Sequence, residues 1–277
     1  MSYLQTVVWG IVVGLTEILP VSGSAHIAFL EKIFGIQRAQ TPQWLFYAML
    51  DFALLIAIVL TCRHEVAALL RGVSGLFAKK QAAARRPADR TDQRLVLMVA
   101  VGLLPLLLEL LLQRWTNALY GKPLFWAACL IVSGLGLFFC EYLARGSKDA
   151  RQMRLSDAVM VGVAQAVAVL PGLSRMGLML CAGYRRGFQP AFSVQYAFLL
   201  SIPFLLGAGI GNVVRGLQAG VQTAAIPAYL VGMAVCVLAA IGAIQLLHRA
   251  LSRKKLSICA FYCWGAAAFS LFLFLIT

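Results

Sequence analysis

The sequence predicts an all-α integral membrane protein with six transmembrane helices and two re-entrant broken-helix hairpins, arranged as an inverted repeat. Three observations predict it. Hydrophobic residues make up 61% of the 277 and charged residues 12%, with a mean hydropathy of +0.86. A soluble chain carries about 45–50% apolar and about 25% charged residues. Several apolar runs reach the roughly 20 residues that a helix needs to cross a hydrocarbon core. Two others are interrupted by proline, glycine and serine.

The six runs long enough to span are 44–62, 95–113, 122–143, 191–211, 225–247 and 257–276. At 1.5 Å per residue the shortest reaches about 28 Å. They must be helical, because lipid offers no partner to backbone N–H and C=O groups. The alternating strands of an outer-membrane barrel are absent. Residues 3–19 are apolar until Pro20-Val21-Ser22-Gly23-Ser24-Ala25-His26 interrupts them, and 158–170 until Pro171-Gly172-Leu173-Ser174-Arg175-Met176-Gly177 does. Only about ten apolar-leaning residues follow each break. Two short arms meeting at a Pro/Gly break read as a hairpin, 3–36 and 158–187. Irregular backbone at that depth is tolerated where protein or a watery cavity satisfies it.

The formal charge of +14 sits mostly between the apolar runs. That placement excludes a nucleic-acid partner, since no basic reader helix or RNA-binding motif accompanies it. Residues 63–94 hold eight Lys/Arg against three acids, 144–154 four against one, and 248–255 four against none. With six spans and two hairpins these loops share one side, the cytoplasm by the positive-inside rule, and both termini face the other. The first hairpin then enters from outside and the second from inside. The halves 1–143 and 156–277 form one membrane domain, the arrangement that places a site between broken helices near the midplane. The stretch 78–94 reads as a soluble cytoplasmic tether. The seven cysteines are odd in number and lack a CxxC pair, so neither a disulfide framework nor a zinc site is indicated. Met1-Ser2-Tyr3-Leu4 carries no basic n-region, so no cleavable signal is expected.

Glu17, His26, Asp51 and Arg175 lie inside apolar runs or their breaks. A charge at membrane depth costs at least about 2.5–3.5 kcal/mol, which makes function its default reading. If the hairpin tips meet, a carboxylate, an imidazole and a guanidinium converge. Arginine offers a planar fork to phosphate oxygens. Gly172, Ser174, Gly177, Ser22 and Ser24 let backbone N–H groups and hydroxyls meet an anion. Histidine can act as nucleophile or general acid. Glu17 can orient it, position water or hold a divalent cation. That set suits a phosphorylated lipid whose prenyl tail lies in an apolar cleft. Structural readings stand beside each: His26 packing a turn, Glu17 anchoring a loop, Arg175 snorkelling. Asp51 can belong to the cavity or face outside water. Glu109, Glu141 and Asp157 read as structural, Asp157 as a helix cap.

At its two breaks the chain resembles the bacitracin-resistance family of undecaprenyl-pyrophosphate phosphatases. The stretch Gly14-Leu15-Thr16-Glu17-Ile18-Leu19-Pro20-Val21-Ser22 with His26 is similar to that family's first signature. Pro171-Gly172-Leu173-Ser174-Arg175 with Gly177 is similar to its second, and weaker likeness includes Phe198-Leu199-Leu200-Ser201-Ile202-Pro203. The resemblance implies an enzyme of the bacterial cytoplasmic membrane that removes the terminal phosphate of a C55 prenyl pyrophosphate for lipid-carrier recycling. It also implies a divalent cation, Mg²⁺ or Ca²⁺, with Glu17 as the second acid of a Glu-x-x-x-Glu pair. His26 would be the catalytic histidine, Arg175 the phosphate-binding arginine and Ser174 a phosphate contact. Membrane lipids are further partners, and a homodimer is compatible with such a chain. The sequence departs from the family at Val13, where the first acid belongs, at Gly23 and Met176, where serines belong, and at Asp51 and Cys263. Two other readings stay open: a lipid-phosphate transporter or flippase, and a lipid-binding homologue without turnover.

Overall fold

The computed structural model describes residues 1–35, 43–77, 87–108, 116, 118–143, 145–220 and 223–275. They are all-α, and the one β-type pairing among them is an isolated bridge between Lys148 and Phe188. Five stretches are long and apolar enough to cross a membrane: α3 (Trp44–Thr61), α6 (Pro123–Leu143), α9 (Pro190–Ala219), α10 (Ile226–Ser252) and α11 (Ser257–Leu275). Their outward faces carry large apolar side chains that are more than half exposed, among them Leu60, Phe139, Leu238 and Phe272. A surface of that kind is stable against lipid rather than water.

The sixth expected span, 95–113, is described only through Leu108. Helix α5 (Pro87–Leu103) is followed by a 3₁₀ turn at Leu104–Leu106. Pro105 has no N–H to continue the α-helical ladder, which tightens the chain there. The rest of that run, with Glu109 and Arg114, lies outside the described residues, as does Arg38. The region 63–94, read from sequence as a loop, is largely helical: α4 (Arg63–Phe77) packs against α5 as an antiparallel pair. The Asp92 carbonyl lies against Gly72, where a side chain would collide with it. Arg71 Nε meets Asp92 Oδ2 at 3.1 Å, and Gln93 Nε2 donates to the Gly75 carbonyl at 3.0 Å. Of the charges in the stretch read as a tether, Asp92 and Arg94 lie on α5, where Asp92 pairs with Arg71 of α4. Residues 78–86 lie outside the described set.

Both interrupted segments fold as helix, break, helix, and each helix resumes earlier than the proline-to-glycine pattern predicts. In the first, α1 (Tyr3–Thr16) is followed by α2 (Gly23–Ile33), so His26 lies within α2. In the second, α7 (Leu155–Val167) is followed by α8 (Arg175–Arg185), which makes Arg175 the first helical residue. With 14 and 13 residues, α1 and α7 reach only about 20 Å each.

Packing exchanges these short helices between the two halves. α1 lies on α10 and α7 lies on α5, while α3 packs on α9 and α6 on α11. The α1–α10 contact is backbone to backbone. A Cβ at Gly10 would collide with the Gly232 carbonyl, and one at Gly14 would come within 2.6 Å of the Cys236 carbonyl. A Cβ at Gly162 of α7 would likewise collide with the Gly102 carbonyl of α5. Small residues four apart, Gly10 and Gly14, permit the close approach that drives association in lipid. Asp157, fully buried in the first turn of α7, accepts from the Arg154 N–H at 2.9 Å and Arg186 Nε at 2.5 Å. It ties the start of the second broken segment to its end.

Candidate active site

The first break turns on Ser22, whose φ of 70° is uncommon for a residue with a side chain. Its Oγ accepts from the Ala25 N–H at 3.5 Å, a weak N-cap for α2. A Cβ at Gly23 would meet the Glu17 carboxylate, which would have to swing aside. The acid at the end of α1 is thus folded over the start of α2. In the second break Gly172 adopts φ 100°, and a Cβ there would come within 2.8 Å of Cys129 Cβ and 2.9 Å of the Trp126 carbonyl. Ser174 caps α8 by accepting from the Gly177 N–H at 3.1 Å, and donates its own N–H to Ser133 Oγ at 3.0 Å.

The two breaks meet directly. The Gly172 N–H donates to Ser24 Oγ at 3.1 Å, and Ser24 Oγ lies 3.4 Å from Ser22 Oγ. Beside this joint is a cleft of about 140 Å³, room for several waters at about 30 Å³ each. Glu17, Asp51 and Arg175 all line it, with Val13, Phe204 and Asn212 among its other walls. The Arg175 guanidinium stacks over the Phe204 ring, 3.7 Å from its centroid, a cation–π contact that leaves the N–H edge available. Neither Arg175 nor Glu17 has a side-chain hydrogen bond or ion pair among the described residues. Arg175 also stands at the N-terminus of α8, where the helix dipole favours an anion. The Asp51 Oδ2 accepts from Asn212 Nδ2 at 2.8 Å.

The sequence-predicted residues therefore divide into three places. Glu17, Asp51 and Arg175 line the cleft. Ser22, Ser24, Gly172, Ser174 and Gly177 build the joint. His26 does not line the cleft, against the expectation that it would converge with Glu17 and Arg175. It is buried between α2 and α11, with Nδ1 2.7 Å from the Ser22 carbonyl and Nε2 2.8 Å from the Tyr262 hydroxyl. The reason is helical geometry: successive residues of α2 are about 100° apart. Ile27 faces the cleft, and Glu31 on the same side accepts from Tyr47, another cleft residue, at 2.8 Å. His26 and Phe29 instead face α11, where Phe29 packs edge-on against Phe269.

Among the family departures, Val13 lines the cleft, so the absent acid would have stood in this same wall. Met176 packs beside Glu17 and Arg175 in an adjoining apolar recess. Cys263 reaches the Pro20 carbonyl at 3.7 Å and so steadies the first break from α11. Among the described residues no three of His, Cys, Asp and Glu cluster as a metal cage. Two carboxylates on one cleft still suit Mg²⁺, which is usually held by one or two carboxylates together with substrate phosphates. Asn212, Tyr47, Glu31 and Tyr262 were not singled out from sequence. A polar side chain in an apolar helix needs a partner, and that signal was available for Asn212.

Known proteins match this chain along nearly its whole length. The chain is 32% identical over 278 aligned residues to undecaprenyl-diphosphatase 2 of Halalkalibacterium halodurans, covering 99% of this chain and 97% of that one. It is 30% identical to an undecaprenyl-diphosphatase of Desulforapulum autotrophicum, with 98% of each covered. To that of Halothermothrix orenii it is 28% identical, with 95% of each covered. The family model described as bacitracin resistance protein BacA matches residues 6–269, a range that takes in both breaks, the joint and every wall of the cleft. By that match the chain belongs to the BacA family.

Proposed function

We propose that this chain is a membrane phosphatase that removes the terminal phosphate of a polyprenyl pyrophosphate, an undecaprenyl-like carrier lipid. The observation that carries the reading is the placement of Arg175, Glu17 and Asp51 on one cleft, beside two broken segments joined through Ser24 and Gly172. The undecaprenyl-diphosphatases to which it is similar support the substrate class.

Arg175 holds phosphate oxygens, with its guanidinium plane fixed by Phe204 and the α8 N-terminus adding to the positive field. Glu17 and Asp51 would hold a divalent cation, which when bound would supply positive charge against the phosphate. His26 serves as nucleophile or general acid/base once its ring turns from Tyr262 toward the cleft. Net reaction takes one water and breaks the bond between the terminal phosphorus and the bridging oxygen. It yields inorganic phosphate and the prenyl monophosphate.

In this reading α1–α2 and α7–α8 are the re-entrant hairpins of an inverted repeat, 1–143 and 156–277. The reciprocal packing of α1 on α10 and α7 on α5 supports that. The membrane is the bacterial cytoplasmic membrane, with the basic loops inside and the termini outside. Arg145 and Lys254, from two of those loops, line one groove, which supports a shared side. Full-length protein in detergent is expected to release phosphate from prenyl pyrophosphates in the presence of Mg²⁺ or Ca²⁺, and Arg175→Ala and His26→Ala to abolish the release. Silence across several chain lengths and cations would overturn the proposal.

A further inference from the structure

His26 is held at both ring nitrogens, and its two partners differ in kind. Nδ1 lies 2.7 Å from the Ser22 carbonyl oxygen, which can only accept. Nδ1 therefore carries a proton. In the neutral ring Nε2 then bears the lone pair, and the Tyr262 hydroxyl 2.8 Å away donates to it. The two rings are nearly parallel, at 15° with centroids 5.6 Å apart, and Phe29 closes an edge of the imidazole.

The surroundings over-determine this geometry. The Ser22 carbonyl is aimed by a residue held at positive φ, a conformation that persists only where neighbours impose it. The residue after Tyr262, Cys263, contacts the Pro20 carbonyl of the same break. Helix α11 thus touches both the histidine and the turn that orients it.

We propose that Tyr262 is a positioning residue for His26. The Ser22 carbonyl fixes the Nδ1–H tautomer, and the Tyr262 hydroxyl, donating to Nε2, holds the ring in that orientation. It also covers that nitrogen at rest, so the hydroxyl turns away before Nε2 meets a phosphorus atom or passes a proton. The catalytic part of this inference rests on the phosphatase reading; the tautomer does not.

The test is ¹⁵N NMR of full-length protein labelled at histidine, with His26 assigned by loss of its signals in His26→Gln. The expected result is a protonated, pyrrole-type Nδ1 and a pyridine-type Nε2. Tyr262→Phe keeps the ring, shifts Nε2 toward the value of a nitrogen without a donor, and lowers kcat about 10²-fold with KM little changed. An Nε2–H tautomer in the unmodified protein, or a Tyr262→Phe spectrum identical to it, overturns the inference even if phosphate is released. An Nδ1–H tautomer with a Tyr262-dependent Nε2 shift, in a chain that hydrolyses no prenyl pyrophosphate, upholds the positioning and overturns the phosphatase reading instead.

Discussion

The backbone N–H of Gly172 donates to the hydroxyl of Ser24 across 3.1 Å, joining two broken segments that lie 148 residues apart in the chain. One hydrogen bond so placed links the Glu17 side of the site to the Arg175 side. Its two ends are held differently. Ser24 contributes only a hydroxyl, whereas Gly172 contributes a conformation and a close approach to α6.

Substitutions at the two ends should therefore differ in size. Ser24→Ala leaves the Gly172 N–H without its acceptor, at about 1–3 kcal/mol. Gly172→Ala adds backbone strain at φ 100° to a clash with Cys129 and Trp126, and is expected to cost more. Thermal unfolding in detergent reads both. A Gly172→Ala protein as stable as Ser24→Ala would refute the account of this joint.

Gly23→Ser restores the serine that the family carries, yet it is expected to impair this chain. The new Cβ meets the Glu17 carboxylate, which must swing off its position over α2. Misplacing a catalytic group by about 1 Å can cost roughly 10²-fold in rate, so phosphate release should fall by that order with little change in unfolding midpoint. Undiminished release would show that the folded-over position of Glu17 is not the working one.

Val13→Glu has the opposite sign. Val13 is 3% exposed and lines the cleft with Glu17 and Asp51, so the variant adds a third carboxylate to one wall. Without a cation that buried charge should destabilise the protein. With Mg²⁺ or Ca²⁺ the loss should be recovered, and the cation concentration giving half-maximal rate should fall about tenfold. Cation titrations of stability and of phosphate release check this, and an unchanged cation dependence would place the metal elsewhere.

Much of this architecture was legible in the chain. The apolar runs that became α3, α6, α9, α10 and α11 are long enough to announce themselves by hydropathy. The two breaks announce themselves by Pro, Gly and Ser. Helix α4 was missed because counting its charges hides their periodicity. The division of the site was missed for a related reason. His26 and Ile27 are adjacent in sequence, and only the register of α2 sends one toward α11 and the other toward the cleft. Tyr262 and Asn212 meet His26 and Asp51 from 236 and 161 residues away, and no local pattern encodes such a pairing.

The glycine-lined seat of α1 on α10 also bears on the order of assembly. α1 ends at Thr16 and α10 begins only at Ile226, so the face formed by Gly10 and Gly14 stays uncovered until α10 has been made. Contacts between such distant segments form late and slowly. The Glu17 end of the cleft is therefore finished only when α10 arrives, and a ribosome-bound chain truncated before α10 would hold its acid without its seat.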